Sequence, residues 1–234
     1  MVLTLIKSLL LSVSLLGLLP TAFAADAAKT CADLVLAKSD AEAVTLCTAQ
    51  AKQGDAKAQF HLGFMYDNGR GVQQDYKQAV YWYTTAAEQG NADAQNTLGI
   101  MYDNGLGVIQ DYKQAIYWYS KAAEQGADDA QLNLGTLHED GLGAPQDYKQ
   151  AAYWYTKAAE QGNANAQYKL GLIYYFGSGV PKDNVMAYVW WSVAAAQGHV
   201  SSRKNRVILV TRMNPSQLKK AQELSKEYQQ QYVK

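Results

Sequence analysis

Ser201 and Lys204 stand in the spacing S-x-x-K, in which a lysine beside a serine hydroxyl can take its proton and prepare it for acyl transfer. Enzymes built on that pair also carry S-D-N and K-T-G, and neither tripeptide occurs here. The histidines are His61, His138 and His199, too scattered for a triad or a metal site. Cys31 and Cys47 lack the C-x-x-C spacing of a redox pair and have no neighbouring histidine ligands. Asp67-Asn68-Gly69 touches the calcium-loop pattern, but that register puts Phe64 where the first ligand oxygen belongs. Gly69-x-Gly71 follows a helical pattern and not a strand, so it is no dinucleotide fingerprint. No catalytic residue, metal or cofactor is expected.

What positions these residues is repetition. QFHLGFMYDNGRGVQQDYKQAVYWYTTAAEQG runs from Gln59 to Gly90, and nearly the same text returns every 36 residues from Gln95, Gln131 and, more loosely, Gln167. Gly63, Gly99, Gly135 and Gly171 keep this register, as do the series that start at Gly69 and Gly71. A fixed period of this size marks a solenoid, whose units bury their apolar faces against each other. Each unit parses as helix, loop, helix. In the first, helix A covers about Ala56 to Asp67, with Ala58, Leu62, Met65 and Tyr66 at helical spacing. Gly63, in its middle, costs about 1 kcal/mol against alanine, so an aromatic ring or a neighbouring helix is expected to press on the backbone there. Gly69 suits a left-handed stop, and Pro145 and Pro181 keep the loop non-helical in the later units. Helix B covers about Asp75 to Glu88, with Asp75, Asp111, Asp147 and Asp183 as caps. Its buried stripe is Ala79, Trp82, Tyr83, Ala86 and Ala87, and the tryptophans read as core residues.

Both ends differ. Residues 1–24 read as a signal peptide: Lys7, an apolar run from Ser8 to Leu19, Pro20, then Ala22-Phe23-Ala24 before the cut. The run falls short of the roughly 20 residues a membrane span needs. Export makes a Cys31–Cys47 disulfide the simplest reading, closing a loop of about 15 residues worth about 3 kcal/mol. It would tie together the two helices of an N-terminal cap, residues 25–53. The first of these helices is expected over Ala27 to Lys38, and the second starts at Ser39 with a Ser39–Glu42 capping box. Residues 54–198 hold the four repeats and residues 199–234 the C-terminal capping helices, the last opened by Asn214 and Pro215.

The chain has 21 basic and 21 acidic side chains, and its two halves are not strongly polarised. No basic field favours nucleic acid, and the small cluster Arg203, Lys204 and Arg206 reads as a solvated face. Removing residues 1–24 takes only Lys7, leaving 20 basic and 21 acidic groups. No later apolar run is long enough to cross a bilayer, so after cleavage the protein is not expected to be an integral membrane protein.

The unit, read as Ala58, Leu62, Gly63, Tyr66, Gly69, Gly71, Val72, Asp75, Ala79, Trp82, Tyr83, Ala86, Ala87 and Gly90, resembles the Sel1-like repeat, a relative of the tetratricopeptide repeat. The third unit departs at His138, where the others have tyrosine, and the fourth at Asn184, Val185 and Trp191. The resemblance implies an all-α fold, a right-handed α/α superhelical solenoid. It also implies an adaptor that binds a protein or peptide, here in the periplasm or secreted, and a monomer is expected. Helix-A positions that vary between units fall on one face. They give a candidate partner-binding stripe of Phe60, His61, Phe64, Asn96, Ile100, Leu132, Asn133, Thr136, Tyr168, Lys169 and Leu172. Alternatives are peptidoglycan or muropeptide binding, with Tyr and Trp stacking on sugars, and the β-lactamase-like activity described for some exported relatives.

Overall fold

The computed structural model describes residues 30–37 and 39–233. The proposed leader and its cleavage site lie outside them. The described residues form twelve helices and no strands. These are α1 (Cys31–Leu36), α2 (Asp40–Lys52), α3 (Ala56–Asn68), α4 (Tyr76–Glu88), α5 (Ala92–Asn104), α6 (Tyr112–Glu124), α7 (Asp128–Asp140), α8 (Tyr148–Glu160), α9 (Ala164–Phe176), α10 (Asn184–Ala196), α11 (Val200–Val210) and α12 (Pro215–Tyr232). From α3 to α10 they alternate as helices A and B of four units, and each helix packs on its neighbours in the chain, which makes an α/α solenoid. None of the described helices is long and apolar enough to cross a membrane.

The recurring residues explain the recurring shape. Asp75, Asp111, Asp147 and Asp183 each cap helix B by accepting two backbone amides, Asp75 from Lys77 and Gln78 at 2.9 and 3.1 Å. Gly63 is missing a side chain because the Tyr83 ring lies where it would go: a Cβ there would sit 2.8 Å from Tyr83 Cδ1. Tyr119, Tyr155 and Trp191 cover Gly99, Gly135 and Gly171 in the same way. Gly71 has φ +70°, and a Cβ on it would meet the Asp40 carbonyl at 2.6 Å, so the loop can touch the preceding helix B only as glycine. Among the tryptophans, Trp118 and Trp190 are buried, whereas Trp82 and Trp154 are half-buried.

A buried glutamine ladder runs through the stack. Gln59, Gln95, Gln131 and Gln167 are each no more than 4% exposed. Their Nε2 groups donate to the carbonyls of Ala51, Ala87, Ala123 and Ala159, near the end of the preceding helix B. Their Oε1 atoms accept from Gln89, Gln125, Gln161 and Gln197 at 2.7–2.9 Å, at the end of their own unit's helix B. Each rung therefore fixes both the pairing inside a unit and the step to the one before.

Helix A is capped by Asp55, Asn91 and Asn163, and α11 by His199, but the third unit has Ala127 there and no side-chain cap. Ala127 has φ −64° and ψ 110°, almost the geometry of Asn91. Ala127→Asn is expected to add the missing bond to the Ala130 amide and to stabilise the fold by about 1 kcal/mol. Thermal denaturation would show this as a rise in Tm of about 2–4 °C. An unchanged Tm would mean that the amide is already satisfied by water.

The ends carry corrections. The Cys31–Cys47 disulfide is formed, with Cα atoms 4.8 Å apart, and joins α1 to α2. Within the described residues the first cap helix is the short α1, not a helix reaching Lys38. Ser39 makes no capping bond, because its ψ of 62° departs from the extended geometry a capping side chain needs. The capping box lies one helix earlier: Asp33 N–H donates to Thr30 Oγ1 at 3.2 Å, and Thr30 N–H to Asp33 Oδ2 at 2.8 Å. Arg70 adds a second clasp, its guanidinium donating to Asp40 Oδ1 at 2.6 Å and to the Val35 carbonyl at 3.0 Å. At the other end Asn214 and Gln217 form a capping box on α12. That helix covers α10, with Tyr228 and Tyr232 against Trp190 at 5.2 and 5.5 Å.

Candidate functional site

The stripe residues are all half-buried, so each is at once part of the packing and part of the surface. Phe60, His61 and Phe64 on α3 come together. With Val35, Leu36 and Arg70 they line a largely apolar hollow of about 370 Å³ at the N-terminal end. Leu36 is 80% exposed at its edge, and the Arg70 guanidinium lies 5.8 Å from the Phe64 ring centre. Asn96 on α5 meets Asn133 on α7 through a 3.3 Å hydrogen bond. Ile100 and Leu132 lean instead on the core shared by helix B of their own unit and the unit that follows.

The middle of the face is polar. Tyr155 donates to Glu139 Oε2 at 2.6 Å, Thr136 Oγ1 lies 3.2 Å from the same hydroxyl, and Lys169 pairs with Glu139 at 2.7 Å. Burial, together with the Glu139 carboxylate, pushes the Tyr155 phenol up, so it stays a hydrogen-bond donor at any physiological pH. Tyr83 and Tyr119 are raised in the same way and reach Asp67 and Asp103 at 3.4 Å. Tyr168 stacks on His199 at 4.6 Å, and its carbonyl accepts from Trp191 Nε1–H at 3.2 Å.

Leu172 opens a second cleft, of about 210 Å³, between α9, α10 and α11. It is lined by Leu172, Tyr175, Phe176, Trp191, Ile208 and Arg212 among others. Ile208 and Arg212 stand one period of 36 residues beyond Leu172 and Phe176. The face therefore continues onto α11, past the last residue of the candidate stripe. Carrying the register forward once more would have found both residues, but α11 has neither the glycines nor the Trp-Tyr pair that announce a unit.

His199 Nδ1 accepts the Ser202 amide at 3.1 Å and lies 2.9 Å from Ser202 Oγ, a helix cap and not a nucleophile–base pair. His138 takes the place of Tyr66, Tyr102 and Tyr174, and its buried Nδ1 has no partner. Burial holds the His138 pKa below the ordinary imidazole value. The unfolded chain thus takes up this proton first, and stability is lost as pH falls from about 6.5 towards the folded pKa. His138→Tyr is expected to stabilise the protein by about 1 kcal/mol near pH 7.5, by removing an unpaired buried nitrogen. The advantage should widen at about pH 5, read from urea midpoints at both pH values. An advantage that shrinks on acidification would contradict this account of His138.

The charges are nonetheless unevenly divided at another point of the chain. Residues 164–234 hold 10 basic and 3 acidic groups, and residues 1–163 hold 11 and 18. The zero total is thus a difference of seven charges each way, divided at the start of the fourth unit.

The Sel1 repeat family matches residues 56–91, 92–126, 128–163 and 164–199, and the chain belongs to that family. A Sel1 repeat protein from Oxalobacter formigenes is 36% identical over 75% of this chain and 72% of that one, with a TM-score of 0.72. A Klebsiella pneumoniae protein assigned to the same repeat class is 22% identical over 77% and 89% of the two chains, with a TM-score of 0.50, a likeness of fold alone. No curated protein matches the chain. Sel1 repeat proteins are generally scaffolds for protein interaction, and the fold is typically non-enzymatic. The disulfide suits a non-reducing compartment.

Proposed function

We infer that the protein is exported to the periplasm and works there as an adaptor, holding a protein or peptide partner along its helix-A face as a monomer. One observation carries this reading. Half-buried apolar side chains recur at two register positions, Phe60, Leu132 and Tyr168 at one and Phe64, Ile100 and Leu172 at the other, on a face with a hollow at each end. Solenoids of this kind present such a face as an extended concave surface. Phe64→Glu and Ile100→Glu together are expected to weaken partner binding at least about tenfold, the scale of truncating one hot spot. Binding is read on the purified partner recovered with the wild type. Full binding by the folded double variant would overturn the assignment of this face. Helical circular dichroism checks the fold, because Phe64 and Ile100 also touch the core.

A second reading rests on the opposite surface. Tyr81, Tyr117 and Tyr153 share one position on helix B, are 58%, 50% and 50% exposed, and meet the neighbouring tryptophan edge-on. Lys121 and Lys157 lie over Tyr117 and Tyr153. A periodic row of half-open aromatic faces with cations suits the sugars of a peptidoglycan strand. Retention on purified sacculi that is lost in Tyr117→Ala with Tyr153→Ala would favour it. No retention would remove it.

A further inference from the structure

The cleft between α9, α10 and α11 combines two features, an open apolar rim and flanking cations without a carboxylate partner. Its rim is apolar and open, with Phe176 68% and Ile208 53% exposed beside Tyr175 and Trp191. Large apolar side chains gathered around one cleft mark an interaction site more often than scattered ones do. The stretch of chain that builds it is also rich in basic residues. From Ala164 to Arg212 the chain has six basic residues and one acid, Asp183. Asp183 is spent on capping α10, accepting the Val185 and Met186 amides at 2.8 and 3.1 Å. Ion pairs among the described residues are Arg70–Asp40 and Lys169–Glu139, so Lys182, Arg203, Lys204, Arg206 and Arg212 have no carboxylate partner. Two of these cations flank the cleft. Arg212 donates to the Tyr175 hydroxyl, and Lys182 lies 5.6 Å from the centre of the Tyr175 ring.

We propose that this cleft seats an acidic segment of a partner protein: one aromatic or aliphatic side chain enters between Phe176 and Ile208, and flanking carboxylates pair with Arg212 and Lys182. The proposal rests on the helix-A reading and gives it an end and a chemistry. Charge complementarity selects the occupant. A neutral apolar peptide would leave the cations unmatched, and a basic one would be repelled. The side-chain size of the cleft favours a peptide over an anionic membrane surface, which would meet exposed cations without needing a recess.

The test uses the chain from residue 25 and a synthetic peptide with one phenylalanine flanked by aspartates and glutamates. Matched peptides carry lysine in place of the acids, or serine in place of the phenylalanine. Affinity is read by fluorescence anisotropy, and location by the indole N–H resonance of Trp191, which lines the cleft. The acidic peptide is expected to shift that resonance and to bind at least about tenfold more tightly than either matched peptide. Arg212→Glu and Ile208→Asp, both at exposed positions, should each weaken it at least about tenfold, and Lys77→Glu, a charge reversal at an exposed position of α4, should not. Equal binding of the acidic and lysine peptides would overturn the proposal, as would binding of anionic vesicles with no peptide bound. If peptide binding is lost in Phe64→Glu and kept in Arg212→Glu and Ile208→Asp, the cleft is wrong and the helix-A reading stands. If none of the three substitutions changes binding, both fall.

Discussion

Gln131→Leu is expected to destabilise the solenoid by about 2–3 kcal/mol, although it places an apolar side chain of similar size in a buried site. The substitution removes two hydrogen bonds, to the Ala123 carbonyl at 3.0 Å and from Gln161 Nε2 at 2.9 Å. The Ala123 carbonyl keeps the Gly126 amide, and Gln161 keeps the Gly126 carbonyl at 2.8 Å, so neither partner is fully stranded. What remains unpaired is one lone pair and one N–H in a dry interface, which sets the cost above that of a surface hydrogen bond. Thermal unfolding should show a fall in Tm of about 5–10 °C. Gln74→Leu, at an exposed loop residue, is the control and should change little. A neutral or raised Tm for Gln131→Leu would mean that the ladder sets register without adding stability.

The second large effect concerns the N-terminal clasp. Replacing Cys31 and Cys47 together with serine should cost about 3 kcal/mol at the first unit, from restored freedom of the unfolded loop. A helix as short as α1 cannot hold itself. Without the bridge it keeps the packing of Leu34 and Val35, the Gln50 side chain on the Cys31 amide at 3.1 Å and Arg70 on the Val35 carbonyl. Solenoid units contact only their neighbours, so the loss should stay local. Hydrogen exchange is expected to speed up in α1 and α2 and to stay unchanged from α5 to α8. Val35 and Leu36 would leave the hollow beside Phe64, which links the bridge to binding. Uniform acceleration along the whole chain would contradict local coupling.

Most of the fold was legible because each unit restates it. Four occurrences of the Gly63 position called for an aromatic ring or a neighbouring helix against the backbone, and the rings of Tyr83, Tyr119, Tyr155 and Trp191 are what lies there. The aspartates marked the start of helix B and the left-handed Gly69 the end of helix A. Three things stayed hidden. Gln59 and its equivalents recur without variation, but a polar residue gives no apolar periodicity, so its burial shows only in three dimensions. Ser39 has the right residue three places before Glu42 but the wrong backbone angle, which sequence spacing does not report. The charge division escaped because the midpoint of the chain cuts through the second unit, while the change of sign falls at the fourth. Of the candidate site, the α3 group of Phe60, His61 and Phe64 assembles in space as one hollow, and the extension onto Ile208 and Arg212 emerged from the structure.

Photo-crosslinking in the living cell from position 64, with a second crosslinker at position 117 on the exposed helix-B surface, tests the central claim most directly. The account predicts one defined protein captured from position 64 and not from 117. Equal capture from both positions, or capture from 117 alone, would contradict it and move the binding surface to the row of exposed tyrosines.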